Sequence, residues 1–164
     1  MSKAFTRESD DDPGSASVSL ARQHLPPGTR NYITKEGASR LNRQLKLLLE
    51  QKQAVSIENE QRKLESEIRQ LQLILNSVVV AEIPIDREKV AFGASVTVQD
   101  ANGDEDAYRI VGVDEASPER GNISWISPLA RAIMSRRVGE KVRFQSPSGV
   151  RELAILRISY SEES

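Results

Sequence analysis

Hydrophobic residues between Thr34 and about Val79 recur every three or four positions, which is the spacing of one face of an α-helix. Thr34 is a suitable N-cap for the first helix. The apolar positions form two series, Leu41, Leu45, Leu48 and Val55, then Leu64, Ile68, Leu71, Leu75 and Val78. The second series is displaced by two residues, which in one continuous helix would rotate its stripe by about 200°.

A chain reversal near Ser56–Glu60 would bring the two stripes face to face. The spacing therefore predicts an antiparallel coiled-coil hairpin. The alternative is one long helix that dimerises through part of its length.

After Pro84 the pattern changes to short β-branched and alternating runs separated by turn residues. Five such runs predict strands of an antiparallel sheet: Ser95–Gln99, Tyr108–Val113, Ile123–Ile126, Glu140–Gln145 and Val150–Tyr160. Ser127 as a cap and Pro128 in the first turn predict a short helix over Leu129–Ser135. The fold class expected is α+β, a helical hairpin followed by a small β domain with one short helix.

The same pattern divides the chain into segments. We expect a disordered, acidic and proline-containing arm at 1–30, the hairpin at 31–82, a linker at 83–89, the β domain at 90–160 and a tail at 161–164. The arm carries Asp10–Asp12 and three prolines, and it has too few apolar residues to offset the entropy lost on ordering.

Composition narrows the classes of function. The 164 residues carry a net charge of −1 and no cysteine, so disulfides and thiolate metal sites are excluded, and attraction to nucleic acid must come from local patches. No apolar run approaches the roughly 20 residues that span a bilayer, and the N-terminus is acidic rather than apolar. We therefore expect a monomeric cytoplasmic protein without a membrane segment.

Candidate catalytic chemistry is sparse. The single histidine, His24, lies in the arm, and the chain has no phosphate-binding glycine loop and no metal-binding or nucleophile motif. Asp114 and Glu115 follow a predicted strand. The preferred interpretation is that they are exposed acids of a turn, and the alternative is that they have a recognition role. The residues alone predict no enzyme, no cofactor and no metal site.

Two groups of basic residues are candidates for binding. The first is a basic hairpin face: Arg40, Arg43, Lys46 and Lys52. It could follow an RNA or DNA backbone, or it could be the solvated outside of a coiled coil. The second group lies around the short helix and suits an acidic partner surface: Arg131, Arg136, Arg137, Lys141 and Arg143.

Five stretches then suggest a family: NYITKEGASRL, VAFGASVTV, YRIVGVDEA, ISWISPLARAI and VGEKVRF. Over residues 31–160 the chain resembles the bacterial Gre transcript-cleavage factors, nearest to the GreB branch. The resemblance implies an N-terminal coiled coil and an FKBP-like C-terminal domain that holds RNA polymerase at the rim of its secondary channel. It also implies that tip acids reach the magnesium of the polymerase, which then cleaves backtracked RNA itself.

The chain departs from this family pattern at the hairpin tip. The family motif is Asp-x-x-Glu-Asn. Glu58 and Asn59 match its end, Glu60 follows, and Val55 stands in place of the aspartate. The hairpin is also shorter by about 10 residues per arm, which withdraws the tip by about 15 Å. One carboxylate is a poor ligand set for Mg²⁺, which is held by several oxygens.

A second departure concerns the expected polymerase contacts. The family has Asp-Ser-Pro before the short helix, whereas this chain has Ile126-Ser127-Pro128. Ser127 and Pro128 carry over as contacts, with Arg131 beside them, and Trp125 and Ile126 could add apolar contact. Trp125 is equally consistent with a core position.

The resulting interpretation is a regulator that binds core RNA polymerase at the secondary-channel rim, touches nascent RNA at most indirectly, and lacks cleavage stimulation. In its short coil it is similar to the Rnk regulators. One alternative is an active cleavage factor that uses Glu58 and Glu60. Another is an FKBP-like interaction module that does not act on polymerase.

Overall fold

The computed structural model describes residues 25–161, and it begins with a helical hairpin. Helix α1 (Lys35–Ala54) and helix α2 (Glu58–Ser77) have 20 residues each and are joined by three residues. The Thr34 hydroxyl accepts a hydrogen bond from the Gly37 amide at 3.0 Å, so the predicted N-cap is confirmed. The predicted hairpin is confirmed as well, and the single long helix was wrong. The predictions for residues 1–24 and 162–164 lie outside the described residues.

The hairpin seam is more deeply buried on α2 than on α1. Ile68, Leu71 and Ile74 are buried, while the α1 positions Leu41, Leu45 and Leu48 are half-buried. Two helices cannot enclose each other fully, so part of each seam residue meets water. A salt bridge of 3.0 Å between Lys52 and Glu65 crosses the hairpin near its tip.

A small parallel sheet closes the base of the hairpin. Strand β1 (Asn31–Ile33) pairs in register with strand β2 (Val78–Val80). The helical prediction to about Val79 was therefore too long, because the three valines leave the helix and pair with β1. The Ala81 amide continues the pairing with a 2.9 Å hydrogen bond to the Ile33 carbonyl. Both ends of the hairpin are thus fixed together.

The β domain is a five-stranded sheet in the order β5-β4-β3-β7-β6 with one short helix. Its elements are β3 (Ala94–Asp100), β4 (Glu105–Val111), β5 (Asn122–Ser124), α3 (Pro128–Ile133), β6 (Lys141–Ser146) and β7 (Gly149–Tyr160). The predicted antiparallel pairing holds for three of the four strand pairs, whereas β4 and β5 run parallel, so the sheet is mixed. Two 3₁₀ turns, Val113–Glu115 and Pro118–Arg120, return the chain so that β5 starts beside the middle of β4.

Two predicted boundaries shift around the short helix. The third strand ends at Ser124, so Trp125 and Ile126 lie in a turn instead of a strand. Helix α3 ends at Ile133 rather than Ser135, because Met134 has an extended ψ of 140° and Ser135 has a left-handed φ of 65°, and a helix continues through neither. The Ser127 hydroxyl accepts from the Ala130 amide, so this predicted cap is confirmed.

The core lies between the sheet and α3. Helix residues Ala130 and Ile133 pack against sheet residues that are all less than 6% exposed: Val96, Val98, Ile110, Val142, Leu153 and Ile155. Linker residues 83–89 are tied to this domain, since the Arg137 guanidinium donates to Asp86 and Glu88, each at 2.9 Å. In residues 25–161 no helix is long and apolar enough to cross a membrane.

Two neighbouring residues of β7 test this packing. Ile155 is 1% exposed in the core, whereas Leu156 occupies the β-bulge opposite Thr97/Val98 and is 38% exposed. We expect Ile155→Ala to lower the free energy of unfolding by about 2–5 kcal/mol through lost burial and a residual cavity. Leu156→Ala, the matched control, should cost less than about 1 kcal/mol. Urea unfolding followed by circular dichroism measures both, and equal losses would contradict the assignment of the core.

Candidate functional site

The hairpin tip holds the acids that sequence reasoning singled out. Glu58 and Glu60 lie in the first turn of α2, and Glu58 forms a 2.5 Å salt bridge with Arg62 one turn along. Residues two positions apart on a helix point about 200° apart, so the two carboxylates do not converge on one point. Within residues 25–161 there is no group of three or more histidine, cysteine, aspartate or glutamate side chains that could hold a metal ion.

The rest of the hairpin tip consists of apolar and amide side chains. The Gln61 side chain donates a 2.7 Å hydrogen bond to the Val55 carbonyl, which seals the three-residue connection. Ile57 is 60% exposed at the end, and Asn59 is exposed beside it. The tip therefore presents an isoleucine, one carboxylate paired with Arg62, and one separate carboxylate.

The four residues of the predicted basic hairpin face do not form one surface. Arg40, Arg43 and Lys46 are exposed on α1. Lys52 is half-buried and turns toward α2, where it pairs with Glu65. Arg40 lies 3.9 Å from the Glu115 carboxylate of the β domain. Only Arg43 and Lys46 remain as cations of this set without an ion pair among the described residues.

The predicted polymerase contacts lie on the turn between β5 and α3. This turn is held by hydrogen bonds from the Trp125 amide to the Val111 carbonyl and from the Ser127 amide to the Ser124 carbonyl, each 2.9 Å long. Pro128 and Arg131 are exposed, and Ile126 is half-buried. We call Ile126, Ser127, Pro128 and Arg131 the docking turn.

Trp125 lies behind the docking turn. Its ring packs edge-on against Tyr32 of β1, with centroids 5.6 Å apart, and Tyr32 also contacts Phe92 at 6.0 Å. Trp125 also packs against the core of the β domain. It therefore supports the turn from inside and joins it to the hairpin base.

Glu115 is a residue that sequence reasoning missed. It was interpreted as an exposed turn acid, and that was wrong, because its side chain is 3% exposed. One carboxylate oxygen accepts from the Thr34 amide at 3.0 Å and the Gly112 amide at 2.9 Å, and the other accepts from the Thr34 hydroxyl. The sequence offered one signal of this contact, a glycine in the first turn of a helix. Only glycine fits there, because a Cβ on Gly37 would lie 2.0 Å from the Glu115 carboxylate.

Two further polar contacts flank Glu115 where the hairpin meets the β domain. Asn31 donates to Asp114 at 2.8 Å, and Arg109 donates to Glu36 at 2.6 Å. The hydrogen bond from Arg109 is the main reason that the pKa of Glu36 is lowered, and the nearby positive charges of Arg109 and Arg40 add to it. We call this contact zone the joint. It contains contacts from both the hairpin base and the β domain.

The fold and these surfaces define a two-part protein, a helical hairpin that packs on a β domain with one short helix. The family model "Transcription elongation factor, GreA/GreB, C-term" matches residues 85–160. The GreA of Nautilia profundicola is 34% identical over 152 residues, which are 91% of this chain and 92% of that protein. The GreB of Neisseria meningitidis is 33% identical over 155 residues, covering 80% of this chain and 95% of that protein. The chain belongs to the GreA/GreB family of transcription elongation factors.

Other matches are more partial. The GreA of Bacillus anthracis is 38% identical over 102 residues, so the match spans only 65% of that protein and 61% of this chain. Among solved structures, Gfh1 of Thermus thermophilus is 25% identical with a TM-score of 0.41, covering 80% of this chain and 99% of its own.

Gly37→Ala tests the joint directly. Alanine favours a helix over glycine by about 1 kcal/mol, so a free helix would be stabilised. Here the added methyl would meet the buried Glu115 side chain, and we expect a net loss of about 1–3 kcal/mol. The matched control is Ser39→Ala on the exposed side of α1, which should be neutral or stabilising by up to about 0.5 kcal/mol. Thermal unfolding measures both variants, and a stabilised Gly37→Ala protein would contradict the close contact.

Proposed function

We propose that this protein binds bacterial core RNA polymerase at the rim of the secondary channel through the docking turn, and that it does not stimulate transcript cleavage. It acts as a monomer that occupies the channel entrance and modulates transcription, with contact to nascent RNA at most indirect. Membership of the GreA/GreB family supports polymerase as the partner. The hairpin tip supports the absence of cleavage stimulation.

The observation that carries the proposal is the placement of the two tip acids. Stimulated cleavage, as the family resemblance implies it, needs a pair of carboxylates delivered together to the active-centre magnesium. Here Glu58 and Glu60 lie two positions apart on α2, so their carboxylates point to different sides of the helix and cannot be delivered together. Val55 supplies no oxygen from its side chain, so no carboxylate stands where the family motif has its aspartate.

The length of the hairpin supports the same conclusion. Each arm has 20 residues, which at 1.5 Å per residue gives a reach of about 30 Å. Arms longer by about 10 residues, as the resemblance implies for the cleavage factors, reach about 15 Å further. A change of side-chain rotamer moves a carboxylate by only a few ångströms, so it does not bridge that difference.

A cleavage assay separates this proposal from its alternatives. We expect the full chain to bind core polymerase and to compete with a GreA cleavage factor. It should leave the RNA of a backtracked elongation complex uncut. The GreA factor alone is the positive control for the complex. RNA products on a denaturing gel, together with fluorescence competition, give both readouts.

Two outcomes would contradict the proposal. Cleavage that is lost in a Glu58→Ala, Glu60→Ala double variant would identify an active cleavage factor. Absence of any binding to polymerase would favour an interaction module with a different partner.

The docking turn generates a second expectation. Ile126 replaces the acidic residue of the family pattern, so we expect its contact with polymerase to be apolar. Ile126→Ala should weaken binding about tenfold, the equivalent of about 1.4 kcal/mol. Val150→Ala is the matched control, since Val150 is 68% exposed at the start of β7 in the same domain. Fluorescence anisotropy with labelled protein measures both affinities. Equal affinities for the two variants would remove Ile126 from the interface.

A further inference from the structure

We propose that Glu115 is a positioning residue that sets the direction in which the hairpin leaves the β domain. Glu115 belongs to the β domain, but its carboxylate binds the start of α1, where it accepts hydrogen bonds from both the amide and the hydroxyl of Thr34. Thr34 is at the same time the N-cap of that helix. One carboxylate therefore connects the start of the hairpin to the end of β4.

The geometry around Glu115 leaves it little freedom. The same oxygen that accepts from the Thr34 amide also accepts from the Gly112 amide, so the side chain is held from both parts of the protein. Gly37 and Gly112 allow this close approach: a Cβ on Gly112 would lie 2.1 Å from the Tyr32 carbonyl oxygen. A buried carboxylate in such a site is stabilised by its hydrogen bonds and by the positive end of the helix dipole.

Other contacts of the joint cannot replace Glu115. The Arg109–Glu36 salt bridge lies at the surface, where exposed ion pairs contribute little. The aromatic contacts of Tyr32 with Trp125 and Phe92 bring the two parts together, but ring packing tolerates tilting more readily than a set of directed hydrogen bonds. Asn31 adds one directed hydrogen bond to Asp114 at 2.8 Å, whereas Glu115 accepts three, so Glu115 is the contact that contributes most to fixing an angle.

The length of the hairpin makes this angle matter. Over an arm of about 30 Å, a tilt of about 20° moves the tip by about 10 Å. Tyr32 touches Trp125 directly behind the docking turn, so the joint relates the hairpin axis to the surface that holds the partner. The consequence for polymerase rests on the proposed function, whereas the positioning itself is a property of the free protein.

The chain contains no cysteine, so two labels can be placed cleanly in the full-length protein. We would introduce Asn59→Cys at the hairpin tip and Gln145→Cys on β6, both at exposed positions. Spin labels at these sites report the distance distribution between tip and β domain by pulsed electron paramagnetic resonance. We expect one narrow distribution when Glu115 is present.

Glu115→Leu keeps the bulk of the side chain but removes every acceptor. We expect it to leave the two domains folded and to broaden the distribution at least about twofold, because the tip amplifies any tilt of the arm. Glu115→Gln, which retains an acceptor oxygen, should restore the narrow distribution. Glu119→Leu, four residues away and exposed, is the matched control and should leave the distribution narrow.

A purely structural role would lower the unfolding temperature of Glu115→Leu without changing the width, and that result overturns the proposal. If the leucine variant shows no cooperative unfolding, the measurement on Thr34→Val decides, since this variant removes the hydroxyl partner and leaves Glu115 in place. A narrow distribution in Thr34→Val then overturns the proposal. Because no polymerase is present, failure here is distinguishable from failure of the proposed function.

Discussion

The buried carboxylate of Glu115 is the interaction on which the arrangement of the whole molecule depends. Leaving a buried charge without its hydrogen bonds costs several kcal/mol, so the carboxylate is stable there only while Thr34 and Gly112 donate to it. That condition ties the first turn of α1 to the end of β4. The two helices of the hairpin bury few residues against each other. The hairpin is therefore held in one direction by this contact with the β domain instead of pivoting freely.

The parts of the fold that sequence predicted well are those that local periodicity encodes. The phase slip between the Leu41 and Leu64 series required a reversal, and the chain reverses at residues 55–57. The caps Thr34 and Ser127 follow from side-chain chemistry within three residues. Each of these features depends on neighbours in the chain, so a single sequence contains the information.

The missed parts depend on residues far apart in sequence. Val78–Val80 looks like the end of a helix until β1, nearly 50 residues earlier, is placed beside it. The parallel pairing of β4 with β5 follows from the path of the two 3₁₀ turns, which no strand pattern encodes. Glu115 looked like a surface acid because its partners, Thr34 and Gly37, lie about 80 residues away. Likewise, Lys52 was assigned to the basic hairpin face, but in the structure it turns toward α2 and pairs with Glu65.

The candidate site shows that the placement of acidic residues is more informative than their number. Near the tip, Glu58 and Glu60 are two positions apart in sequence and point to different sides of the helix, and Glu58 pairs with Arg62. At the joint, Glu115 is buried and both of its carboxylate oxygens accept hydrogen bonds. An arm whose far end lacks converging oxygens still requires a fixed direction if its function is to occupy a channel, because occupancy depends on shape and angle. The structure therefore supports a protein in which a carboxylate at the base orients the hairpin, while the carboxylates at the tip are not arranged for metal chemistry.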